Sequence, residues 1–260
     1  MLTSDGAVVE TGLDAAALKP TECDLSRARE LLFDRLVLDW EGPENLPDEE
    51  MLADLAATAD VRVTTPVRAD GFDPLGDEGL LERLPDDVGK VVVAGHPAYL
   101  TEQERSRAVA PRLGAAARRD PDAWVGSESV ERIALATGNA QFELLSPGTE
   151  QECRALRGAG FDGDLAVYAP TVLTADDDAR LDAVGGYVAR RGRVARALPD
   201  DAATDATAEG RAREVLLKAS ADYALVGTAA DVRERVRALK DAGADYVVGY
   251  PARGVEEFLD

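Results

Sequence analysis

Short runs of apolar and β-branched residues alternate along the chain with longer segments of helical periodicity. The short runs predict eight strands, which cover residues 7–11, 35–39, 61–67, 90–94, 123–126, 141–145, 164–168 and 246–250. Some of them, such as Val91-Val92-Val93-Ala94, are continuously apolar, which is typical of parallel strands covered on both faces. Strands that alternate with helices predict an α/β fold with a parallel sheet.

Segments with helical periodicity lie between the predicted strands. They cover residues 25–32, 48–59, 79–84, 102–117, 129–137, 149–158, 176–191, 211–219 and 229–242. The last of these begins with the capping-box pattern of Thr228 and Asp231 and ends before Gly243, a residue type that commonly follows a helix. The region around residues 192–212 contains a stretch without periodicity. We interpret it as a surface excursion from a single domain that spans residues 1–260.

Eight strands separated by helices are compatible with a closed (β/α)8 TIM barrel or with an open, doubly wound sheet. A chain of 260 residues has the usual length of a single barrel. Open sheets of this kind often have a glycine-rich phosphate-binding turn, but Gly42, Gly71 and Gly76 lack its spacing. The sequence therefore favours the TIM barrel. It predicts four buried strand residues: Leu36, Leu38, Val92 and Val247.

Charge is the strongest signal in the composition. Fifty acidic residues stand against 29 basic ones, the net charge is −21, and only four of the basic residues are lysine. Such a surface is typical of a halophilic, archaeal cytoplasm, where molar salt shortens the Debye length to about 3 Å and screens the self-repulsion. The alternative, a binder of basic partners, would concentrate acid in one block, whereas here it is spread along the chain. Nucleic acid and membranes are not expected as partners.

The chain shows no targeting or membrane signal. Its first residues lack a basic start and a long apolar core, and no run approaches the roughly 20 apolar residues of a membrane span, which predicts a cytoplasmic protein.

Aromatic residues make up 5%, so Val, Leu and Ala are expected to fill the core. Cys23 and Cys153 lack metal-ligand spacing and are expected to be buried free thiols, and no metal site is predicted.

Several local motifs, taken in order, resemble the luciferase-like monooxygenase superfamily, which includes deazaflavin-dependent methylenetetrahydromethanopterin reductases. Residues 28–39 resemble its "helix, Gly-Phe-Asp, strand ending in Asp", and residues 52–67 resemble its "Leu-Ala-x-x-Ala, then Thr-x-Arg-Ile-x-Leu-Gly-Thr" segment. Residues 90–95 and 121–129 match two further strand motifs. Residues 226–248 resemble its "Gly-Thr-Pro-Glu-Glu-Val … Ala-Gly-Val-Asp" ending.

The resemblance implies an oxidoreductase that transfers hydride between coenzyme F420 or FMN and a small organic substrate. The chain departs from the pattern at a few positions. Leu32 replaces the usual glycine, Gly138-Asn139-Ala140 replaces Ala-Asp-Gly, and His96 follows Gly95 where a second glycine is usual. These departures keep open a non-catalytic barrel of the same ancestry that acts as a binding or assembly partner. The sequence also leaves open whether the chain forms a homo-oligomer.

Candidate catalytic residues follow from the rule that barrel active sites lie at the carboxyl ends of the strands. Asp39 follows the second strand and offers an acid/base group. His96 is the only histidine and follows the fourth strand, where an imidazole could exchange protons near neutral pH. Each has an ordinary alternative, a solvated acidic loop for Asp39 and a structural or exposed side chain for His96. A hydrolase is not indicated, because no Gly-x-Ser-x-Gly motif is present.

Candidate cofactor-binding residues stand at the ends of other strands. Ser127, Glu128 and Ser129 combine hydroxyl and backbone donors at a predicted helix N-terminus, which suits a phosphate group. Arg253 follows the last strand, near the position where barrels often bind phosphate. The remaining candidates are Thr64, Thr65, Gly95 and Gly249. Capping of the helix alone would explain one of the serines.

The charge predicts how stability depends on salt. We expect the melting temperature to rise steeply from low to molar KCl, because screening reduces repulsion among the acidic side chains. Thermal unfolding followed by circular dichroism across that range measures the effect. A melting temperature that does not change with KCl would contradict the interpretation of the acidic surface.

Overall fold

A computed structural model of the chain describes residues 8–66, 84–94, 101–106, 108–126 and 136–259. Two predicted helices, at residues 79–84 and 129–137, lie almost entirely outside these ranges. The described helices are α1 Glu49–Ala56, α2 Glu102–Arg105, α3 Val109–Arg119, α4 Thr149–Gly158, α5 Asp177–Ala189, α6 Gly192–Ala195, α7 Gly210–Tyr223 and α8 Ala229–Asp241. Short 3-10 helices cover Val9–Thr11, Leu25–Glu30 and Val255–Phe258. None of the helices in these ranges is both long and apolar enough to cross a bilayer.

The described strands form one parallel sheet that closes on itself. They are β1 Ala15–Leu18, β2 Arg35–Leu38, β3 Asp60–Pro66, β4 Gly89–Val93, β5 Trp124–Gly126, β6 Gln141–Leu144, β7 Leu165–Val172, β8 Leu225–Val226 and β9 Tyr246–Pro251. Strands β1 to β7 pair in sequence order, and β9 pairs with both β7 and β1. Eight strands therefore make the ring, and the two-residue β8 pairs only with the last two residues of β7. The closed ring of eight parallel strands confirms the predicted TIM barrel.

The first predicted strand was wrong. Residues 9–11 form a 3-10 helix, and Gly12 follows it with a left-handed φ of 72°. The strand lies later, at Ala15–Leu18, and consists of three alanines and a leucine. Alanine has little tendency to form strands, whereas the β-branched pair Val8-Val9 has a strong one, so the local signal pointed to the wrong segment. Tertiary pairing with β2 and β9 makes the alanine run a strand.

Five aromatic rings fill the interior of the barrel. They form a continuous series in which ring centroids are 5.7 Å apart for Tyr246–Trp124, 6.0 Å for Trp124–Phe142, 5.6 Å for Phe142–Tyr168 and 6.5 Å for Tyr168–Tyr250. Such pairs add to the stabilisation that comes from buried apolar area. The expectation that Val, Leu and Ala fill the core therefore holds for the layer outside the strands, whereas inside the barrel valine and alanine share the space with these rings.

Two arginines close the amino-terminal end of the barrel below these rings. The guanidinium carbon of Arg62 lies 4.5 Å from the Trp124 ring centroid, and that of Arg35 lies 4.1 Å from the Tyr246 ring. Arg35 also donates to the Asp60 carboxylate over 2.6 Å. Stacking on the rings lets these partly buried cations pack against the aromatic core.

The helices cover the outer face of the strands. The outward side chains of β7 and β9 pack against α4 and α8, and those of β4 and β5 pack against α3. The four residues predicted to be buried are buried, with exposed fractions of 3% or less: Leu36, Leu38, Val92 and Val247. Cys23 and Cys153 are buried and unpaired, as predicted, and burial raises the pKa of both thiols.

The region around residues 192–212 contains α6 and a segment that runs back along α5. The Asp182 carboxylate accepts a hydrogen bond of 2.9 Å from the Ala206 amide, and Gly185 lies directly under the Thr204 carbonyl. Leu181 of α5 and Leu216 of α7 are fully buried in the small core that these helices share. The returning segment is therefore packed onto α5.

This packing predicts a difference between two adjacent glycines. A β-carbon at Gly185 would lie 2.0 Å from the Thr204 carbonyl oxygen, whereas one at Gly186 would lie 3.9 Å from the nearest atom outside the helix. Gly185→Ala should destabilise the protein by about 1–3 kcal/mol through overpacking. Gly186→Ala is the matched control and should stabilise it by up to about 1 kcal/mol, because alanine favours helix. Urea unfolding at constant KCl measures both, and equal stabilities would contradict the packing.

Candidate functional site

The carboxyl ends of the barrel strands meet at one end of the ring, which we call the mouth. The register of the strands places Thr64, Tyr168 and Tyr250 on the inner face at this end, together with the aromatic series. Lys19 directly follows β1 and Asp39 directly follows β2. These five side chains form the described wall of the mouth.

Asp39 is the central ionisable group of this wall. Its amide donates to the Leu18 carbonyl over 2.9 Å, and the Tyr168 hydroxyl donates to its Oδ2 over 3.4 Å. Burial raises the pKa of Asp39 to about 6, an effect that Glu41 and Glu22 reinforce and that Lys19 and Tyr168 oppose. A carboxyl group with a pKa of about 6 can both accept and release a proton near neutral pH.

Tyr250 and Glu22 hold the Lys19 side chain against the same wall. The Lys19 Nζ lies 4.4 Å from the Tyr250 ring centroid and 3.3 Å from Glu22 Oε1. The Tyr250 hydroxyl donates to the other oxygen of the same carboxylate. Burial and this hydrogen bond raise the pKa of Tyr250, so its hydroxyl stays neutral and remains a donor.

Hydrogen bonds join the loop that follows β2 to β3 and to the loop that follows β1. The Trp40 amide donates to the Thr64 hydroxyl over 2.6 Å. The Glu41 carboxylate accepts from the amide and the hydroxyl of Thr21, over 2.8 and 2.7 Å. These bonds hold the two residues that follow Asp39 in place.

The structure brings only some of the predicted site residues together. Asp39 and Thr64 lie in the mouth. Thr65 faces the outside of β3, where its hydroxyl donates to the Val91 carbonyl over 3.2 Å. Gly249 also faces outward, because a β-carbon there would lie 2.6 Å from Leu13 Cδ1. Successive residues of a strand face opposite sides, and this alternation keeps both residues out of the mouth.

Five other candidates lie outside the described residues: Gly95, His96, Ser127, Glu128 and Ser129.

Three residues of the wall were not among the residues predicted from the sequence, namely Lys19, Tyr168 and Tyr250. Lys19 was missed because the first strand was assigned to the wrong residues. The two tyrosines are the last residues of the predicted strands 164–168 and 246–250, but the sequence does not tell which face of either strand is inward.

Arg253 lies near the position where barrels often bind phosphate, but it already has an anionic partner. Its guanidinium is 3.6 Å from the carboxylate of Glu257, in the short helix after β9. The same carboxylate accepts a hydrogen bond of 2.7 Å from the amide of Leu173, which follows β7. The loops after both strands and the short helix thus converge on Glu257, where other barrels hold a phosphate.

Carboxylates also occupy three of the described helix N-termini. Asp48 accepts from an amide in the first turn of α1, Asp176 accepts from two in the first turn of α5, and Asp231 completes the predicted capping box of α8. A helix N-terminus attracts anions through its unpaired amides and its dipole. Since these amides are already paired with carboxylates, α1, α5 and α8 are poor sites for a phosphate.

Solved structures with the same architecture span nearly the whole chain. An F420-dependent secondary alcohol dehydrogenase in complex with an F420-acetone adduct matches with a TM-score of 0.61 at 13% identity, over 95% of this chain and 96% of its own. Apo-MsnO8 matches with a TM-score of 0.57 at 15% identity, over 96% and 97%. The EDTA monooxygenase EmoA from Chelativorans sp. BNC1 matches with a TM-score of 0.52 at 12% identity, over 92% and 89%. At 12–15% identity these matches show that the chain shares the barrel fold of these proteins.

Comparison of the sequence with known proteins identifies a family but no curated relative. No curated protein matches the chain significantly. One family model matches residues 8–258, which is nearly the whole sequence. The chain therefore belongs to DUF7388, a family of unknown function.

Proposed function

We propose that this chain is an oxidoreductase of the luciferase-like type, which binds coenzyme F420 or FMN over the mouth and transfers hydride between it and an organic substrate. The observation that carries the proposal is Asp39, an ionisable carboxyl group at the end of a barrel strand with a pKa raised to about 6. Perturbed groups of this kind are concentrated at catalytic sites. Two of the similar structures are named as an F420-dependent dehydrogenase and a monooxygenase, which supports the choice of redox chemistry.

In the proposed reaction Asp39 moves a proton. Conversion between an alcohol and a carbonyl group requires a proton at oxygen as well as a hydride at carbon, and a nearby carboxyl group can supply or accept that proton. The Tyr168 hydroxyl keeps the carboxyl group oriented, and the fixed backbone from Trp40 to Glu41 keeps it in place. A flavin or deazaflavin, when bound, supplies the hydride-carrying ring.

The residues of the mouth suit the ring of such a cofactor better than its phosphate. Asp39, Thr64 and Tyr168 offer hydrogen-bonding groups, and Trp40 is half-buried beside them. The phosphate has no comparable site among the described residues, because Glu257 already pairs with Arg253. We therefore propose that phosphate binds at residues 127–129, as the sequence analysis expected.

The second candidate function is a non-catalytic barrel of the same ancestry that binds or assembles with a partner. The carboxylates at the N-termini of α1, α5 and α8 favour this candidate, since they weaken sites that a phosphate-bearing cofactor could use. The net charge of −21 supports a cytoplasm of high salt for either function.

Cofactor binding decides between the two functions. Fluorescence titration of coenzyme F420 and FMN into the wild-type protein in molar KCl should give saturable binding of one of them in the micromolar range or tighter, about 8 kcal/mol.

Asp39→Asn should retain that binding, because Asp39 acts on a proton, but should lose turnover. Ser127→Asp should weaken binding more than tenfold through repulsion of the phosphate. If neither cofactor binds to the wild type, the non-catalytic barrel is the better interpretation.

Asp39 also predicts how stability depends on pH. Its pKa is about 6 in the folded protein and about 3.9 in an unfolded chain, so the folded state binds the proton more tightly. Folding stability should therefore fall as the pH rises through this window, by up to about 3 kcal/mol. Asp39→Asn removes that cost and should be more stable than wild type at pH 8, with a gain that disappears near pH 4.

Urea unfolding of both proteins at several pH values and constant salt measures this difference. Comparing the variant with wild type cancels the contribution of the other acidic groups. A stability difference that is independent of pH, or that grows as the pH falls, would show that Asp39 does not titrate with a raised pKa.

A further inference from the structure

Lys19 and Asp39 occupy equivalent positions at the ends of neighbouring strands. Leu18 pairs with Leu38, and the Asp39 amide donates to the Leu18 carbonyl over 2.9 Å. Neighbouring strands are about 4.8 Å apart, and residues at paired positions face the same side. The residues that follow this pair, Lys19 and Asp39, therefore stand side by side at the mouth.

The Lys19 ammonium is held on the inner wall and does not extend freely into water. Glu22 Oε1 lies 3.3 Å from it on one side, and the Tyr250 ring centroid lies 4.4 Å from it on another. The Tyr250 hydroxyl donates a hydrogen bond to the same glutamate, so the two groups that contact Lys19 are also bonded to each other. A cation over a tyrosine ring is attracted by the electron density of its face. These contacts keep the charge of Lys19 close to Asp39.

The described groups that act on the Asp39 carboxyl group come from four parts of the barrel. Lys19 and Glu22 follow β1, Glu41 follows β2, Tyr168 lies in β7 and Tyr250 lies in β9. Of these groups only Lys19 is positively charged. Burial and the two glutamates favour the neutral carboxyl group, whereas Lys19 favours the carboxylate.

We propose that Lys19 is a positioning residue of the mouth, whose ammonium holds Asp39 in its charged, proton-accepting form at neutral pH. The inference deepens the proposed function, on which its meaning for catalysis rests. In the oxidation of an alcohol the hydroxyl proton would pass to the Asp39 carboxylate, and the carbon that bears the hydroxyl would lose a hydride, which a bound oxidised flavin or deazaflavin would accept. A neutral Asp39 could not accept that proton, so the cation beside it sets the pH range in which oxidation proceeds.

The test measures the titration of Asp39 directly in the protein without cofactor. Carbon-13 NMR of aspartate-labelled protein follows the side-chain carboxyl carbon, and Asp39→Asn identifies its signal. Lys19→Met should raise the pKa of Asp39 by about one unit or more, since an opposite charge at close range has been removed. Lys19→Arg should restore a value close to that of the wild type. Lys240→Met is the matched control, because Lys240 pairs with Asp14, just before β1 at the other end of the barrel.

Unchanged titration of Asp39 in Lys19→Met, with a native circular dichroism spectrum, would overturn the inference. So would an equal shift in Lys240→Met, because the effect would then reflect net charge alone. The result does not depend on the proposed function, since no cofactor is present during the titration. If a cofactor binds and turnover is found, the acidic limb of the pH–rate profile should move by the same amount in Lys19→Met. A limb that stays in place would show that Lys19 does not act through Asp39 in the reaction.

Discussion

A ring of eight parallel strands encloses a space that side chains must fill, because unfilled interior volume forfeits the contacts that stabilise a protein core. Here five aromatic rings provide a large part of the inner layer, in a series that runs from Tyr246 at one end to Tyr250 at the other. The inward residues of β1 are Ala15 and Ala17, which occupy little of the same space. Small side chains on β1 leave room for the large ones on β5, β6, β7 and β9.

The aromatic residues that fill the barrel also form part of the mouth. Tyr168 and Tyr250 are the uppermost members of the aromatic series, and their hydroxyl groups are the polar ends of otherwise buried side chains. One hydroxyl meets Asp39 and the other meets Glu22, which also pairs with Lys19. The positions of the ionisable groups therefore follow from the packing below them. A substitution that shifts the rings should also shift the groups that titrate above them.

The sequence predicted the barrel and most of its strands because β-branched runs are a local signal that tertiary structure rarely overrides in buried parallel strands. It failed at β1, where pairing on both sides makes a strand of an alanine run that has no such tendency. That single error also hid Lys19. Asp39 and Thr64 were found because strand ends can be located from the sequence. Thr65 and Gly249 were misplaced because a strand end alone does not tell which residue faces inward. The aromatic series depends on contacts between different strands, three between neighbours and one, Tyr246–Trp124, across the barrel, and no local pattern encodes them.

The charges of the surface and those of the site respond differently to salt. In molar salt the Debye length of about 3 Å confines the effect of each exposed carboxylate to its immediate neighbours, so an anionic ligand can approach the acidic surface. Its binding then depends on short-range hydrogen bonds and not on the net charge of −21. Lys19 and Asp39 are adjacent and partly shielded from bulk water by Tyr250 and Tyr168, and screening reduces such an interaction much less. The ionic state of the mouth is therefore set mainly by its own side chains.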